Sequence, residues 1–305
     1  MAKIGLIGCG MMGKGLARRL VQAGHALTIA RNPASLRPLD AFLKDEAVRE
    51  LVGSGARVTQ GYEAILSECE VLALCVPDHH AVESVLVGIG GLERFPESSV
   101  RLVIDFTSSR PDSTRKIAAA LEKRGIDMLD APMGGGPAQA AQGTLAVAVG
   151  GVQQVFDKYK ELLSCVASTL VYAGPSGCGH ALKLLNNALA ILNWTATSAA
   201  YLLCDYAGAE RDALYALVSG SGANSSGFQT QSEKIRQNRF PGSFDLSYAE
   251  KDIRYAVEMM AGSPLSYTPF AGVAELMARA KAAGYAGQDV GCVYKFMESG
   301  MKNDA

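Results

Sequence analysis

Residues 4–20, IGLIGCGMMGKGLARRL, decide the fold of the chain. A short apolar run leads into the spacing Gly8-x-Gly10-x-x-Gly13, and an amphipathic segment follows. Gly8 permits a tight turn, Gly10 lets the backbone approach a pyrophosphate, and Gly13 permits close packing of the helix. The phosphate would then lie at the N-terminus of that helix. The stretch therefore predicts the first strand–turn–helix unit of a dinucleotide-binding fold.

The remaining first half continues the alternation of strands and helices. Apolar runs predict further strands at 26–30, 71–76, 101–106, 126–131, 144–151 and 169–174. Continuous apolar strands between helices, such as the one predicted at 114–125, indicate a parallel sheet covered on both faces.

From residue 177 the periodicity is helical. One long helix is predicted to end near Gly208, and more helices are predicted at 210–219, 225–238, 247–261, 266–284 and 289–298. The predicted fold class is α/β: a Rossmann-type doubly wound domain over residues 1–175, then an all-α domain over 176–305. A long interdomain helix joins the two.

Composition narrows the classes of function. The 305 residues include 29 basic and 30 acidic side chains, a net charge of −1. This balance argues against a general binder of nucleic acid or of anionic membranes. Polar residues interrupt the apolar segment 181–204, which favours a buried helix over a membrane span. Because a strand is predicted from residue 3, we expect no signal peptide and a cytoplasmic protein.

The cysteines and histidines show no metal-ligand spacing. Seven cysteines, an odd number without a CxxC pair, predict reduced thiols. The four histidines are not spaced with Cys, Asp or Glu as zinc ligands are. His79 and His80 follow Pro77 and are expected in a loop after a strand. We therefore predict no metal site.

The end of the second predicted strand bears on the choice of cofactor. Folds specific for NAD usually carry an acidic residue there, which binds the ribose hydroxyls. Here Ala30 takes that position and Arg31 follows it. An arginine can hold a 2′-phosphate through charge-assisted hydrogen bonds. We predict NADP in preference to NAD; the alternative is that Arg31 is an exposed surface residue.

The start of the long helix, GCGHALKLLNNALAIL (177–192), combines an apolar pattern with Lys183, Asn186 and Asn187. Lysine is seldom fully buried without a partner. In a partly dry cleft its pKa shifts readily, so it can exchange a proton with a substrate oxygen. Positions 183 and 187 share one helix face. The alternative is a lysine that extends from an interdomain helix to solvent, with two amides that cap loops.

These motifs resemble those of the β-hydroxyacid dehydrogenases, a group that includes 3-hydroxyisobutyrate dehydrogenases and tartronate semialdehyde reductases and is related to 6-phosphogluconate dehydrogenases. The resemblance covers essentially the whole chain. Five segments carry it in order: GLIGCGMMGKGLARRL (5–20), DFTSSRPDST (105–114), DAPMGGGPAQAAQGTL (130–145), GCGHALKLLNN (177–187) and SFDLSYAEKDIRYAVE (243–258).

The resemblance implies an oxidoreductase that transfers a hydride between a nicotinamide and a small β-hydroxyacid or its semialdehyde. It implies that Lys183 is the proton donor or acceptor and that Asn187, supported by Asn186, holds the substrate. Substrate-binding residues are expected at Gly134, Gly135, Gly136 and Thr107. Cofactor-binding residues are expected at Gly8, Gly10, Met11, Met12, Gly13, Arg31, Val76, Pro77, Ser108 and Lys251. Asp252 is expected to be structural, and relatives suggest a homodimer or homotetramer.

The chain departs from the family pattern in two places. Gly134 stands where a serine hydroxyl is usually offered to the substrate carboxylate, although the N–H groups of residues 134–136 could still bind an anion. The extra room predicts a best substrate other than 3-hydroxyisobutyrate; the alternative is neutral variation. The segment GYAGQD (284–289) also lacks a histidine often found there.

Two other functions are compatible with the fold. Imine reductases share it, but typically lack the lysine at the position of Lys183. A catalytically silent dinucleotide-binding module is the other alternative, and loss of the same lysine is its usual sign. Retention of Lys183 therefore favours the dehydrogenase.

Overall fold

The computed structural model describes residues 1–31, 38–88, 91–242, 244–261, 263–265 and 268–303. The chain forms two compact units, Met1–Lys183 and Leu184–Ala305. The division falls inside a helix, eight residues beyond the domain boundary that the sequence predicts after residue 175, and that boundary stays a prediction.

The first unit is built on one sheet, in which the strand order β3-β2-β1-β4-β5-β6 is parallel throughout. This order is that of dinucleotide-binding doubly wound folds. Beyond β6 the sheet continues with β8, which is antiparallel to β6 and β7 and parallel to β9. The strands are β1 Lys3–Ile7, β2 Ala26–Arg31, β3 Arg57–Gln60, β4 Val71–Leu74, β5 Leu102–Asp105, β6 Asp127–Asp130, β7 Met133–Gly134, β8 Leu145–Gly150 and β9 Ala167–Gly174.

Helices flank the sheet, and apolar side chains fill both of its faces. In β4, Val71 and Ala73 belong to one core cluster, whereas Leu72 and Leu74 belong to another. Successive strand residues point to opposite faces, so both faces are buried. The helices are α1 Met11–Gln22, α2 Leu39–Leu43, α3 Glu46–Gly53, α4 Glu63–Glu68, α5 His79–Leu86, α6 Pro111–Glu122, α7 Pro137–Gln142 and α8 Gln153–Ser164.

The expectation that His79 and His80 lie in a loop is wrong, because α5 begins at His79. Asp78 caps this helix: its Oδ1 accepts a hydrogen bond from the Ala81 N–H at 2.9 Å. An aspartate at this position satisfies one of the N–H groups that the first helical turn leaves without an intrahelical partner.

Residues after 177 are helical, as predicted. The long helix α9, Cys178–Tyr206, begins in the first unit and ends in the second. A core around Leu184, Ile191, Ile253 and Met277 packs the second unit. None of the helices in the described part of the chain is long and apolar enough to cross a membrane. The other helices are α10 Arg211–Ser219, α11 Ser226–Arg236, α12 Leu246–Met260, α13 Phe270–Ala280 and α14 Val293–Asn303.

The predicted fold class is therefore confirmed: a doubly wound, largely parallel sheet is followed by a helix-rich part. The main omission from the sequence-based prediction is the segment 39–68. It contributes α2, α3, α4 and the polar strand β3, whose residues are at most half-buried.

The turn between β1 and α1 needs glycine for two different reasons. Gly8 adopts φ +101°, a left-handed conformation that favours glycine, and a Cβ there would overlap the Cys75 carbonyl. A Cβ on Gly13 would overlap the carbonyl of Gly8. Gly10, by contrast, has an extended backbone, and nothing lies within 4 Å of an added Cβ. The fold therefore requires Gly8 and Gly13 but leaves the space above Gly10 open.

This contrast predicts different stabilities for two alanine variants. Gly13→Ala should lower the free energy of unfolding by about 1–3 kcal/mol, because the added methyl must displace backbone. Gly10→Ala should change it by less than about 0.5 kcal/mol. Chemical denaturation of both variants measures the difference, and equal stabilities would contradict the packing described.

A buried ion pair in the second unit predicts a larger effect. Lys234 Nζ lies 2.6 Å from Asp289 Oδ1, which also accepts from the Gly291 N–H at 2.8 Å. Asp289→Ala should lower the free energy of unfolding by about 3–5 kcal/mol, because it leaves a buried ammonium without its carboxylate. The control is Asp212→Ala, since the Asp212 side chain is 82% exposed beside Arg236. We expect it to cost less than about 1 kcal/mol; denaturation curves that coincide would refute this assignment.

Candidate active site

The first part of the candidate site is the N-terminus of α1. Gly10 is its N-cap residue, and Met11 and Met12 are its first helical residues. The N–H groups of a first helical turn lack intrahelical partners and point out along the axis. The open space above Gly10 lets an anion approach them. These residues therefore fit the pyrophosphate of a dinucleotide.

A cavity of about 250 Å³ adjoins this turn at the carboxyl end of the sheet. Of the predicted cofactor residues it brings together Gly8, Arg31, Val76 and Pro77. Sequence reasoning missed the remaining walls, several of which come from the unassigned segment 39–68 and from α5. The full lining is Ile7, Gly8, Cys9, Ala30, Arg31, Phe42, Tyr62, Val76, Pro77, Ala81, Ser84 and Val85.

Arg31 is held at the edge of this cavity. It is only 7% exposed, so the alternative of an exposed surface arginine does not describe it. Its Nη1 donates to Gln60 Oε1 at 3.3 Å, and its guanidinium carbon lies 5.5 Å from the centre of the Phe42 ring. A guanidinium held against an aromatic ring beside a cavity is suited to an anionic ligand.

Thr107 lies at the end of β5 and is almost completely buried. The carboxylate of Asp105 accepts from the Thr107 N–H at 2.9 Å, and the Thr107 hydroxyl accepts from the Val76 N–H at 3.2 Å. Ser109 Oγ donates to the same carboxylate at 3.4 Å. Burial raises the pKa of Asp105. These bonds fix the loop that carries Thr107 and Ser108 against the end of β4.

In the loop 134–136, which is expected to bind the substrate carboxylate, not every backbone N–H group is open to an anion. Gly134 pairs with Ala146 in the sheet, and a Cβ at position 134 would lie only 3.1 Å from the Ala146 carbonyl oxygen. Gly135 adopts φ +122°. The Gly136 N–H donates to Gln139 Oε1 at 3.0 Å. Gln139 therefore uses one of the N–H groups that the sequence suggested for an anion.

The first turn of α9 is tied to the end of β6 by Asp130. The buried carboxylate of Asp130 accepts from the Gly177 N–H at 2.8 Å and from the His180 N–H at 2.9 Å. Gly177 adopts φ +90°, and a Cβ on Gly179 would lie 2.5 Å from the Asp130 carbonyl oxygen. Sequence reasoning missed Asp130, although the G-x-G spacing before the helix signals the close approach.

Lys183 follows His180 by three residues on α9 and is half-buried. Asp130 thus fixes the turn that precedes Lys183 to the carboxyl edge of the sheet. The loop of Thr107 and the turn at Gly10 lie on the same edge, because parallel strands have their carboxyl ends on one side. Within the first unit, the structure brings these predicted residues to one edge.

The second unit gathers the other predicted residues around Asp252. Asn187 is 8% exposed, and its Nδ2 donates to Asp252 Oδ2 at 2.6 Å. Asn186 Nδ2 donates to Asn187 Oδ1 at 3.1 Å. Lys251 Nζ lies 3.4 Å from Asp252 Oδ1 and 5.6 Å from the centre of the Tyr255 ring.

The cysteines near the cofactor turn are poor nucleophiles. Burial raises the pKa of Cys9 to about 11 and that of Cys75 to about 12. All seven cysteines are free thiols. Among the described residues, no group of three or more His, Cys, Asp or Glu side chains could hold a metal ion.

Comparisons with known proteins match both parts of the chain. Residues 3–174 match a family model described as the NAD binding domain of 6-phosphogluconate dehydrogenase. Residues 177–297 match a second model, described as NAD-binding of NADP-dependent 3-hydroxyisobutyrate dehydrogenase. Both matches fall on the parts that the sequence predicts to be separate domains.

Individual relatives are similar over nearly their full length. The chain is 30% identical to the 3-sulfolactaldehyde reductase of Escherichia coli K12 over 95% of this chain and 93% of that protein. It is 29% identical to the 2-(hydroxymethyl)glutarate dehydrogenase of Eubacterium barkeri over 97% and 95%. A Mycobacterium tuberculosis 3-hydroxyisobutyrate dehydrogenase structure shares the fold, with a TM-score of 0.82, 23% identity, and coverage of 97% of this chain and 99% of that one. The chain belongs to the β-hydroxyacid dehydrogenase family of NAD(P)-dependent oxidoreductases, which is related to 6-phosphogluconate dehydrogenase.

Proposed function

We propose that this protein interconverts a small β-hydroxyacid and its semialdehyde with NADP as the preferred cofactor, and that Lys183 exchanges the proton. The observation that carries the proposal is the position of Lys183, one helical turn after the residues that Asp130 fixes to the carboxyl edge of the sheet. The same edge carries the glycine turn and the cavity beside Arg31.

The chemistry needs a hydride carrier and a proton carrier. A bound nicotinamide supplies or accepts the hydride. Reduction of a carbonyl leaves negative charge on its oxygen, and Lys183 would give that oxygen a proton; in the reverse direction it would take one from the hydroxyl. A lysine in a partly buried position suits both directions because its pKa responds to its surroundings.

Cofactor binding is assigned to the carboxyl edge of the first unit. Gly8, Gly10, Met11, Met12 and Gly13 would hold the pyrophosphate through the first turn of α1. The buried guanidinium of Arg31 supports NADP over NAD, because it is positioned for a 2′-phosphate by Gln60 and Phe42. The remaining predicted contacts are Val76, Pro77, Ser108 and Lys251.

Substrate binding is assigned to Thr107, to the loop 134–136, and to Asn187 with Asn186. Because Gln139 occupies the Gly136 N–H and position 134 has no hydroxyl, the loop offers a carboxylate fewer donors than the family pattern does. We therefore propose that the best substrate is a hydroxyacid other than 3-hydroxyisobutyrate.

We also propose a cytoplasmic homodimer or homotetramer without a nucleic-acid or membrane partner. The exposed face of α9 supports the association of copies. Leu182, Leu189 and Leu203 fall at multiples of seven residues and are 43%, 55% and 63% exposed. Tyr206, three residues later, is 81% exposed. A helix that leaves an apolar stripe at heptad spacing is suited to pair with a second copy.

The catalytic assignment predicts the effect of removing the lysine. Lys183→Ala should lower kcat by about 10²- to 10⁴-fold, the usual contribution of a positioned acid–base group. The measurement is NADPH absorbance over a panel of short hydroxyacids and semialdehydes that includes 3-hydroxyisobutyrate. Lys116→Ala, on the exposed part of α6, is the matched control and should keep the wild-type rate.

Two results would count against this assignment. A Lys183→Ala enzyme with the wild-type kcat would remove the lysine from the mechanism. NADPH fluorescence that reports binding, without turnover of any semialdehyde by the wild type, would favour the silent module. A clear preference for 3-hydroxyisobutyrate would overturn the proposal about substrate choice alone.

The cofactor assignment predicts a change in preference. Arg31→Ala should lower kcat/KM for NADP by about 10- to 100-fold and leave NAD nearly unchanged, because only NADP carries the phosphate that the guanidinium would bind. Arg57→Ala removes an exposed arginine paired with Glu68 and serves as the control. Gly10→Ala should weaken both cofactors alike. A wild-type enzyme with a strong preference for NAD would contradict the assignment.

A further inference from the structure

His180 is a fully buried histidine that the proposed chemistry does not use. It lies in the first turn of α9, and its ring faces three polar side chains from the first unit. Nδ1 is 2.7 Å from Thr114 Oγ1 and 3.9 Å from Asp130 Oδ2. Nε2 is 3.8 Å from Asp105 Oδ2 and makes no hydrogen bond within the described residues.

The bonds of Thr114 determine which ring nitrogen carries hydrogen. Thr114 Oγ1 donates to the Arg110 carbonyl at 3.0 Å, and this uses its single hydrogen. Towards His180 the hydroxyl is then an acceptor, so Nδ1 must be the donor. Nε2 is left to face the carboxyl of Asp105.

That arrangement is stable only with a proton between the two groups. A bare Nε2 and an ionised Asp105 would place two acceptors against each other in a buried site, without water to solvate either. One proton, carried either by Nε2 or by Oδ2, removes this conflict, since the two atoms are 3.8 Å apart and interact as a charge contact. Burial raises the pKa of Asp105, which favours the uptake of a proton at this site.

Two other titratable groups, Asp130 and Cys75, lie near the couple. Both oxygens of Asp130 already accept N–H bonds, from Gly177 and from the His180 backbone. Cys75 interacts electrostatically with Asp105, but burial raises the pKa of its thiol to about 12, so it stays neutral.

We infer that His180 is a positioning residue for the reaction, through one proton that it shares with Asp105. The couple ties the first turn of α9 to the loop 107–109, because Asp105 also holds the Thr107 N–H and Ser109 Oγ. Lys183 follows one side of this link and Thr107 lies on the other, so the link holds the two residues in a fixed relative position. The consequence for catalysis rests on the proposed function; the shared proton does not.

The first test measures the proton without activity. In protein labelled with ¹⁵N-histidine, the His180 signal is assigned by its loss in His180→Phe. We expect a protonated Nδ1 in the wild type near neutral pH, and a shift of the ring signals in Thr114→Val and in Asp105→Asn. A bare Nδ1 at the assigned wild-type signal overturns the inference, and so does a ring signal that Asp105→Asn leaves unmoved.

The second test separates positioning from folding. His180→Phe should lower kcat by about 10- to 100-fold, because small displacements of reacting groups have effects of this size. The Kd for NADPH, measured by fluorescence, should stay within about twofold, which shows an intact cofactor site. His25→Gln, at the opposite end of the sheet, should keep the wild-type kcat.

Two conservative variants complete this test. His180→Gln places an N–H donor near the position of Nε2, whereas His180→Asn places one near Nδ1. If the link to Asp105 matters, the glutamine variant retains more of kcat than the asparagine variant. The reverse order, or a wild-type kcat in His180→Phe, overturns the positioning role. If the wild type turns over no substrate, the proposed function fails. The NMR result then still tests whether His180 and Asp105 share one proton.

Discussion

The hydrogen bonds from the Gly177 and His180 N–H groups to the Asp130 carboxylate are the constraint on which the site depends. They join the end of β6 to the first turn of α9 in a fully buried position. A carboxylate at a helix N-terminus satisfies N–H groups and complements the helix dipole. Without it, two N–H groups of the turn that precedes Lys183 would be buried without their acceptor.

The parallel strand order places this constraint at the edge of the sheet where the other candidate site residues lie. Strands β1, β4, β5 and β6 are adjacent and parallel, so their carboxyl ends form one continuous edge. The glycine turn follows β1, Val76 follows β4, Thr107 follows β5 and Asp130 ends β6. Residues that are far apart in the chain thus meet at the edge where ligands bind in such sheets.

Much of this could be predicted from the sequence where the signal is local. The Gly8-x-Gly10-x-x-Gly13 spacing predicted β1 and α1, because Gly8 adopts a left-handed conformation and Gly13 packs against the Gly8 carbonyl. The contacts of Asp130 and Arg31 could not be predicted in this way. Asp130 acts on residues 47 and 50 positions away, and Arg31 is buried by Phe42 and Gln60 from a segment without clear periodicity. The use of the Gly136 N–H by Gln139 likewise depends on the side-chain conformation of a single residue.

The reaction proposed for this protein is the transfer of a hydride between NADP and a small semialdehyde. Incubation of the wild type with NADPH deuterated at the transferring position, followed by mass spectrometry of the products, tests it most directly. We expect a hydroxyacid with one deuterium on the carbon that bears the hydroxyl, formed in proportion to the NADPH consumed. Bound NADPH that passes no deuterium to any semialdehyde in the panel would contradict it.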